Sequence, residues 1–220
     1  MAMLFDQLSP VNFAQLGFAA KRATLNGMEI VLSYVGAGIE TQQMKTLGIC
    51  DVSAFSRVGV KGIKAAEWLI SKGFNVPTAI NTWTTDSLNG LILRLGKNEF
   101  LIESIRPTLI QVDEVSRLEG LYEVARYDAA FILSGVQLQK ALSEICALDL
   151  NERAFGADAV IMTSVAGVSV TMIRQTLNDE EVYRLWCDGS YGNYMWSTLT
   201  EIAAESGGGV VGLDSHFYKV

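Results

Sequence analysis

Apolar and polar positions follow a definite order along the chain. Ser56-Arg57-Val58-Gly59-Val60 alternates with a period of two, the pattern of a strand with one buried face. After Gly62, residues Ala65, Ala66, Trp68, Leu69 and Ile70 fall at helical spacing, and Gly73 is placed to end that helix. Pro77 and the Thr/Asn-rich stretch up to Ser87 predict a loop. Leu91 to Leu95 and Glu99 to Ile102 flank Gly96-Lys97-Asn98, which predicts a hairpin. Pro107 opens a predicted helix over 108–118, with Leu109, Ile110, Val112 and Val115 on one face. Leu121-Tyr122-Glu123-Val124 closes the series as a strand.

The same plan then recurs. Ala129 to Leu133 reads as a strand, and Ser134-Gly135 leads into a helix carrying Leu138, Ala141, Leu142 and Ile145 on one side. Val168 to Ile173 and Val182 to Trp186 are strands joined by a turn at Asn178-Asp179. A helix is expected from Tyr191 to Glu205, with Tyr194, Met195, Thr198, Leu199 and Ile202 on one side. Gly207 to Gly209 ends it, and Val210 to Leu213 is a last strand. Two successive βαββαβ units make an α+β protein of duplicated ferredoxin-like halves. The expected division is an N-terminal extension with strands over 1–50, a first half over 51–126 and a second half over 127–220. Interlocking of the halves as one domain stays open.

Composition narrows the function classes. Half of the 220 residues are hydrophobic and 19% are charged, enough for a core that buries roughly 70% of the unfolded surface. The net charge of −7 argues against nucleic acid, whose phosphates call for clustered cations, and against an anionic membrane surface. The longest uncharged run, Ala159 to Ile173, is shorter than the roughly 20 apolar residues of a membrane span and is read as buried strand. No cationic n-region opens the chain, so a cytoplasmic protein is expected. Its mean hydropathy of +0.26 hints at a partner covering part of the surface.

Few residues offer chemistry. The only histidine is His216, which excludes a zinc site built on several histidines in one chain; no metal site is expected. Cys50, Cys146 and Cys187 are far apart and read as buried thiols. Val35-Gly36-Ala37-Gly38 lacks the third glycine of a dinucleotide loop, where Thr41 stands, and no long amphipathic helix is expected after it; a glycine turn is the simpler reading. Ser206 to Gly209 lacks the Gly-Lys-Ser/Thr of a phosphate loop. Asp214-Ser215-His216 are consecutive, so they do not converge as a triad. Asp51 reads as a turn residue capping Ser53. Tyr191, Tyr194, Trp196 and Trp186 cluster near one helix, where core packing and a protein–protein surface both fit; Tyr191, Tyr194 and Trp196 are the candidate interface residues. No catalytic residue emerges from these patterns.

Longer stretches carry a resemblance. Leu47-Gly48-Ile49-Cys50-Asp51-Val52-Ser53, followed by Arg57 to Gly62 and Ala65, resembles the opening signature of the glycine-cleavage T-protein superfamily. Ile132 to Gly135, Cys146-Ala147-Leu148-Asp149-Leu150 with Arg153-Ala154-Phe155, Thr171 to Arg174, and Ser190-Tyr191 leading to Tyr194-Met195-Trp196 are similar to the gamma subunits of heterotetrameric sarcosine oxidases. The resemblance covers roughly Gln42 to Ala204. It implies a T-protein-like folate-binding fold in a non-catalytic gamma-type chain. The partners it implies are larger alpha and beta flavoprotein subunits and a small delta subunit. FAD, FMN, NAD and tetrahydrofolate would then sit on the other subunits, with none on this chain. The implied reaction of the complex is oxidative demethylation of a secondary N-methyl amino acid, with the one-carbon unit passed to tetrahydrofolate.

Departures from the family pattern point the same way. Catalytic T-proteins carry an Asp-Asp pair before the strand matching Leu91 to Leu93, where this chain has Asn89-Gly90. An amide cannot replace a carboxylate's charge beside a developing cation. The Thr-Gly-Glu turn after the arginine matching Arg174 is also missing, with Glu180 or Glu181 falling near the lost position. Asn89, Arg174 and Glu180 are therefore the candidates for a degenerate folate pocket. The Lys-Gly-Cys-Tyr-x-Gly-Gln motif of an iron–sulfur repair branch is absent. The rival reading is a stand-alone folate-binding protein or folate-dependent aminomethyl transferase.

Overall fold

Turn chemistry sets many of the element boundaries in the computed structural model, which describes residues 7–18, 20–86, 90–105, 118–150 and 155–216. The chain forms two units. Unit one comprises Met1–Ala54, Asp128–Ala157 and Met162–Val220; unit two comprises Phe55–Tyr127 and Asp158–Ile161.

Unit one begins with a single helical turn, α1 (Asn12–Gln15), and a hairpin of β1 (Lys21–Leu25) and β2 (Met28–Ser33). The hairpin turns at Asn26-Gly27, with φ of +51° and +79°. Positive φ at both central residues matches a two-residue turn to the twist of its strands. Next come α2 (Ala37–Leu47) and β3 (Gly48–Asp51). The hydrophobic pattern places no long helix after Gly36, yet α2 runs for 11 residues. It buries Glu40, Met44 and Leu47, an i, i+4, i+7 stripe whose first place is a carboxylate. A charged residue at a core position conceals the periodicity.

Unit two holds β4 (Ser56–Lys61), α3 (Ala65–Ser71), β5 (Thr82–Asp86), β6 (Gly90–Gly96), β7 (Glu99–Ser104) and β8 (Tyr122–Val124). Its sheet has the order β5-β6-β7-β4-β8, with neighbours antiparallel. Helix α3 lays Ala65, Trp68 and Leu69 on a core of Val58, Val60, Ile92, Phe100 and Ile102. Each such aliphatic or aromatic side chain contributes roughly 1.5–3 kcal/mol by leaving water. The helix closes with Gly73 N–H on Ile70 O at 2.9 Å and Phe74 N–H on Leu69 O at 3.1 Å. This is a Schellman motif, and Phe74 packs into the same core as Leu69.

One expectation changes here. The predicted loop before Ser87 contains β5, whose Thr82-Trp83-Thr84-Thr85 is β-branched and aromatic without apolar alternation. It stands at the end of the sheet's strand order, beside β6 and with an isolated bridge from Thr82 to Ala159, so no apolar alternation writes itself into the sequence. The helix expected over 108–118 lies outside the described residues, apart from Leu118.

The chain returns to unit one with β9 (Asp128–Ser134), α4 (Leu138–Ile145), β10 (Val160–Val165), β11 (Val168–Leu177), β12 (Glu180–Asp188), α5 (Gly192–Glu205), β13 (Gly209–Val210) and α6 (Leu213–His216). The sheet order is β10-β11-β12-β9-β3-β13. Strand β3 runs antiparallel to β9 and parallel to β13, so a strand from the N-terminal segment is built into this sheet.

The uncharged run from Ala159 to Ile173 is a hairpin instead of one strand. It turns at Ala166-Gly167, with φ of +49° and +80°. Asn178-Asp179 forms the expected turn, with φ of +51° and +65°. The last predicted strand is confined to Gly209–Val210, and the chain then enters α6. Helix α5 buries Gly192, Met195, Trp196, Leu199 and Ala203, a face rotated from the predicted one. The phase is set by Trp196, the largest side chain on the helix. Among the described residues, no helix is long and apolar enough to cross a membrane.

Candidate functional site

Of the residues singled out by the resemblance, Arg174, Glu180 and Glu181 lie on a hairpin of unit one. On the hairpin, Arg174 faces Tyr183, Thr176 faces Glu181 and Leu177 faces Glu180. Side chains alternate along a strand, so Arg174 and Glu181 share one face while Glu180 belongs to the other. Arg174 Nη1 accordingly lies 3.7 Å from Glu181 Oε2. The partly exposed pair contributes at most about 1 kcal/mol. The carboxylate beside Arg174 is thus that of Glu181, and Glu180 is not brought to it.

Asn89 lies outside the described residues. Its neighbour Gly90 has a φ of +82°, and a Cβ there would stand 2.2 Å from Glu103 O and 3.0 Å from Ser104 Cα. Both atoms are backbone and cannot give way cheaply. Position 90 therefore admits no aspartate in this conformation. In the same sheet Arg57 and Glu103 face each other across β4 and β7, and Arg57 Nε donates to Glu103 Oε2. Both side chains are buried.

The glycine turn after β2 is organised by Glu40. Its Oε1 accepts from Ser33 Oγ at 2.6 Å and from the backbone N–H groups of Tyr34, Val35 and Gly36 at 2.7, 3.0 and 3.1 Å. Its Oε2 accepts from Gly212 N–H at 2.7 Å. Backbone amides ahead of a helix are the groups that would hold a phosphate. Here they are occupied by the chain's own carboxylate, although a helix does follow the turn. The dinucleotide reading fails on that geometry.

Asp51 organises a second turn. Its Oδ1 accepts from Ser53 N–H at 2.9 Å, while Oδ2 accepts from Ser9 Oγ at 3.0 Å and Gln15 Nε2 at 3.1 Å. The signature Gly-Ile-Cys-Asp-Val-Ser is thus a loop clamp in this chain. Nearby, Tyr34 packs edge-on to Phe18 and stacks on Trp196, with ring centroids 5.2 and 6.1 Å away. Burial, with the charges of Asp51, Cys50 and Glu40, holds its phenol protonated well above the ordinary tyrosine range.

The aromatic candidates separate. Tyr191 and Tyr194 are 50% and 52% exposed, whereas Trp196 is 2% exposed and packs in the unit's interior near Phe131. Tyr194 Oη donates to Ala166 O at 3.0 Å. Cys50 and Cys187 are buried, and Cys146 is half-buried. Burial, then Asp128 and Asp188, pushes the Cys187 thiol up to about 12; burial, then Asp51 and Glu40, raises Cys50 further. Neither thiol is an available nucleophile at neutral pH. Asp214, Ser215 and His216 are successive residues of α6. Among the described residues, no cluster of three or more His, Cys, Asp or Glu could hold a metal.

Sequence reasoning missed Glu40, Tyr34 and the steric closure at Gly90. A carboxylate at the head of the α2 stripe is the signal that could have found Glu40.

No protein-family model and no curated protein matches the chain in sequence. Solved structures do match its fold. The glycine cleavage system aminomethyltransferase T from Bartonella henselae aligns with a TM-score of 0.70 at 15% identity, over 95% of this chain. This chain spans only 60% of that protein's length. A chain of the heterotetrameric sarcosine oxidase from Corynebacterium sp. U-96 aligns with a TM-score of 0.63 at 19% identity, over 77% of this chain and 92% of that one. The chain thus has the α+β fold of these two proteins.

Proposed function

We propose that this protein is a non-catalytic, gamma-type subunit of a sarcosine oxidase-like flavoenzyme complex. The observation that carries the reading is the size match. The sarcosine oxidase chain is covered almost end to end by 77% of this chain, so it is the shorter of the two. Gly90 supports it, because a backbone oxygen occupies the place a carboxylate would need. The reaction of such a complex would be oxidative demethylation of a secondary N-methyl amino acid with transfer of the one-carbon unit to tetrahydrofolate. FAD, FMN, NAD and the folate would be held mainly by the alpha and beta partners, with a small delta subunit beside them. Tyr191 and Tyr194 would face a partner.

The same reading treats the two units as copies of one ferredoxin-like plan. In unit two the order β6-β7-β4-β8 has the alternation that plan requires, and β5 is an added edge strand. In unit one β11-β12-β9 and β13 take the same places, with β10 added at the edge and β3 inserted.

Co-expression with flavoprotein partners from the same host tests the proposal. A tagged chain should bring down larger chains in a yellow eluate. A colourless chain that remains alone and monodisperse overturns it. The 95% coverage by the aminomethyltransferase fold favours a second reading, a stand-alone folate-binding protein or transferase. Titration of the purified chain with tetrahydrofolate decides that reading. Saturable heat that Arg174→Ala abolishes would favour it, with Asn89 and Glu180 as further pocket candidates and Glu181 added to them as the carboxylate beside Arg174. Absence of heat removes it.

A further inference from the structure

A groove of about 490 Å3 runs beside α5, wholly within unit one. Phe18, Val35, Trp196 and Val210 form its apolar walls. Gln43, Thr200 and Glu201 supply its polar edge. Gln43 Oε1 is buried and accepts no hydrogen bond. An unmet buried oxygen costs about 1–3 kcal/mol, and native proteins keep such atoms rarely.

The amide of Gln43 is closely seated. A Cβ at Gly209 would come within 2.4 Å of its Nε2, so the missing side chain makes room for it. Thr200 Oγ1 donates its proton to Trp196 O at 2.8 Å, which leaves its lone pairs to accept. Glu201 adds a carboxylate, and none of the described lining residues is cationic. The edge of the groove is therefore rich in acceptors. Behind the walls, the Tyr34 hydroxyl is also buried without a partner, and its ring packs on both Phe18 and Trp196.

We propose that this groove binds a small, largely apolar molecule bearing a hydrogen-bond-donating nitrogen, uncharged or cationic. Its body lies against Phe18, Val35 and Trp196, and its N–H meets Gln43 Oε1. Apolar walls with a few placed polar groups are the usual make-up of a small-molecule site. Anions are disfavoured, since they would meet acceptors and the Glu201 charge. The site lies inside one unit and does not depend on the subunit reading.

The test is a titration of the 15N-labelled full chain with benzylamine and, in parallel, with benzoate, which has the same ring and the opposite charge. Benzylamine should produce saturable shifts at the Gln43 side-chain amide, the Trp196 indole N–H and the amides of Gly208 to Val210. Benzoate should bind about tenfold more weakly or worse. Gln43→Leu and Gly209→Ala should each weaken benzylamine about fivefold or more, one by removing the acceptor and one by displacing it. Equal binding of both probes, or no saturable shift at these positions, overturns the proposal. If a variant loses its dispersed spectrum, the two wild-type titrations still decide.

Discussion

Glu40 in unit one and Glu103 in unit two are both fully buried carboxylates, held in different ways. Glu40 rests on Ser33 Oγ and on backbone N–H groups from Tyr34 to Gly36 and from Gly212. Glu103 is met by the Arg57 guanidinium on the neighbouring strand. Backbone donors tie a carboxylate to a chain path, here joining the end of β2 to the segment after β13. A guanidinium ties two strands already paired by their ladder. The first arrangement therefore specifies the fold across a long sequence separation. The second neutralises a charge where the fold is already fixed.

Substitution should separate the two. Glu40→Ala leaves the buried N–H groups of Tyr34 and Gly212 without this acceptor, at about 1–3 kcal/mol each. With Val35 and Gly36 added, the loss is on the order of 5 kcal/mol, enough to unfold unit one in a denaturant titration. Arg57→Met should cost about 3–5 kcal/mol by removing the guanidinium that meets the buried Glu103 charge. Adding Glu103→Met should recover most of that loss, because a well-packed apolar pair can replace a buried ion pair. No second substitution should rescue Glu40→Ala, since no side-chain change removes the main-chain N–H groups of Tyr34, Val35, Gly36 and Gly212. Equal rescue at both sites would erase the distinction.

Smaller effects follow from the titrating groups of unit one. Cys50 and Cys187 have raised pKa values in the folded state, so they stay protonated while the unfolded thiols ionise. Their contribution is complete below the unfolded value of about 8.5 and falls as pH rises toward the folded values. Chemical denaturation between pH 8 and 10 should show stability declining, with a shallower decline in Cys187→Ala. Thiol labelling of the native protein should modify Cys146 first.

Asp188 has the opposite sign. Ser190 donates to it through its hydroxyl at 2.5 Å and its N–H at 2.9 Å, holding its pKa below the ordinary carboxylate value. That contribution is present above about pH 4 and is lost as pH falls through the lowered value. Asp188→Asn should weaken the dependence on acid. The smallest change is Ala166→Asn. The φ of +49° strains alanine more than asparagine, so a gain of up to about 1 kcal/mol in thermal unfolding is expected.

Much of the element order was legible because the sequence writes it in local terms. The Gly73 cap, the Asn178-Asp179 turn and the alternation in β4 each need only neighbours a few residues apart. What escaped were elements whose pattern is incomplete without partners. Strand β5 stands at the end of its sheet's order, and the α2 stripe starts with Glu40. Among the candidate residues, the sequence singled out Arg174 and its acidic neighbours. It could not choose between Glu180 and Glu181, because the choice rests on the register of β11 against β12.

By itself the sequence determined the α+β class, the place of most strands and helices, and the absence of a carboxylate at Asn89 and Gly90. These follow from residue types and short-range periodicity. Only the tertiary structure decided that β3 enters the sheet of unit one, that Trp196 is interior while Tyr194 is exposed, and that Gly90 leaves no room for a side chain. Those facts depend on groups far apart in the chain meeting at hydrogen-bond and van der Waals distance, and such meetings leave no local period to read.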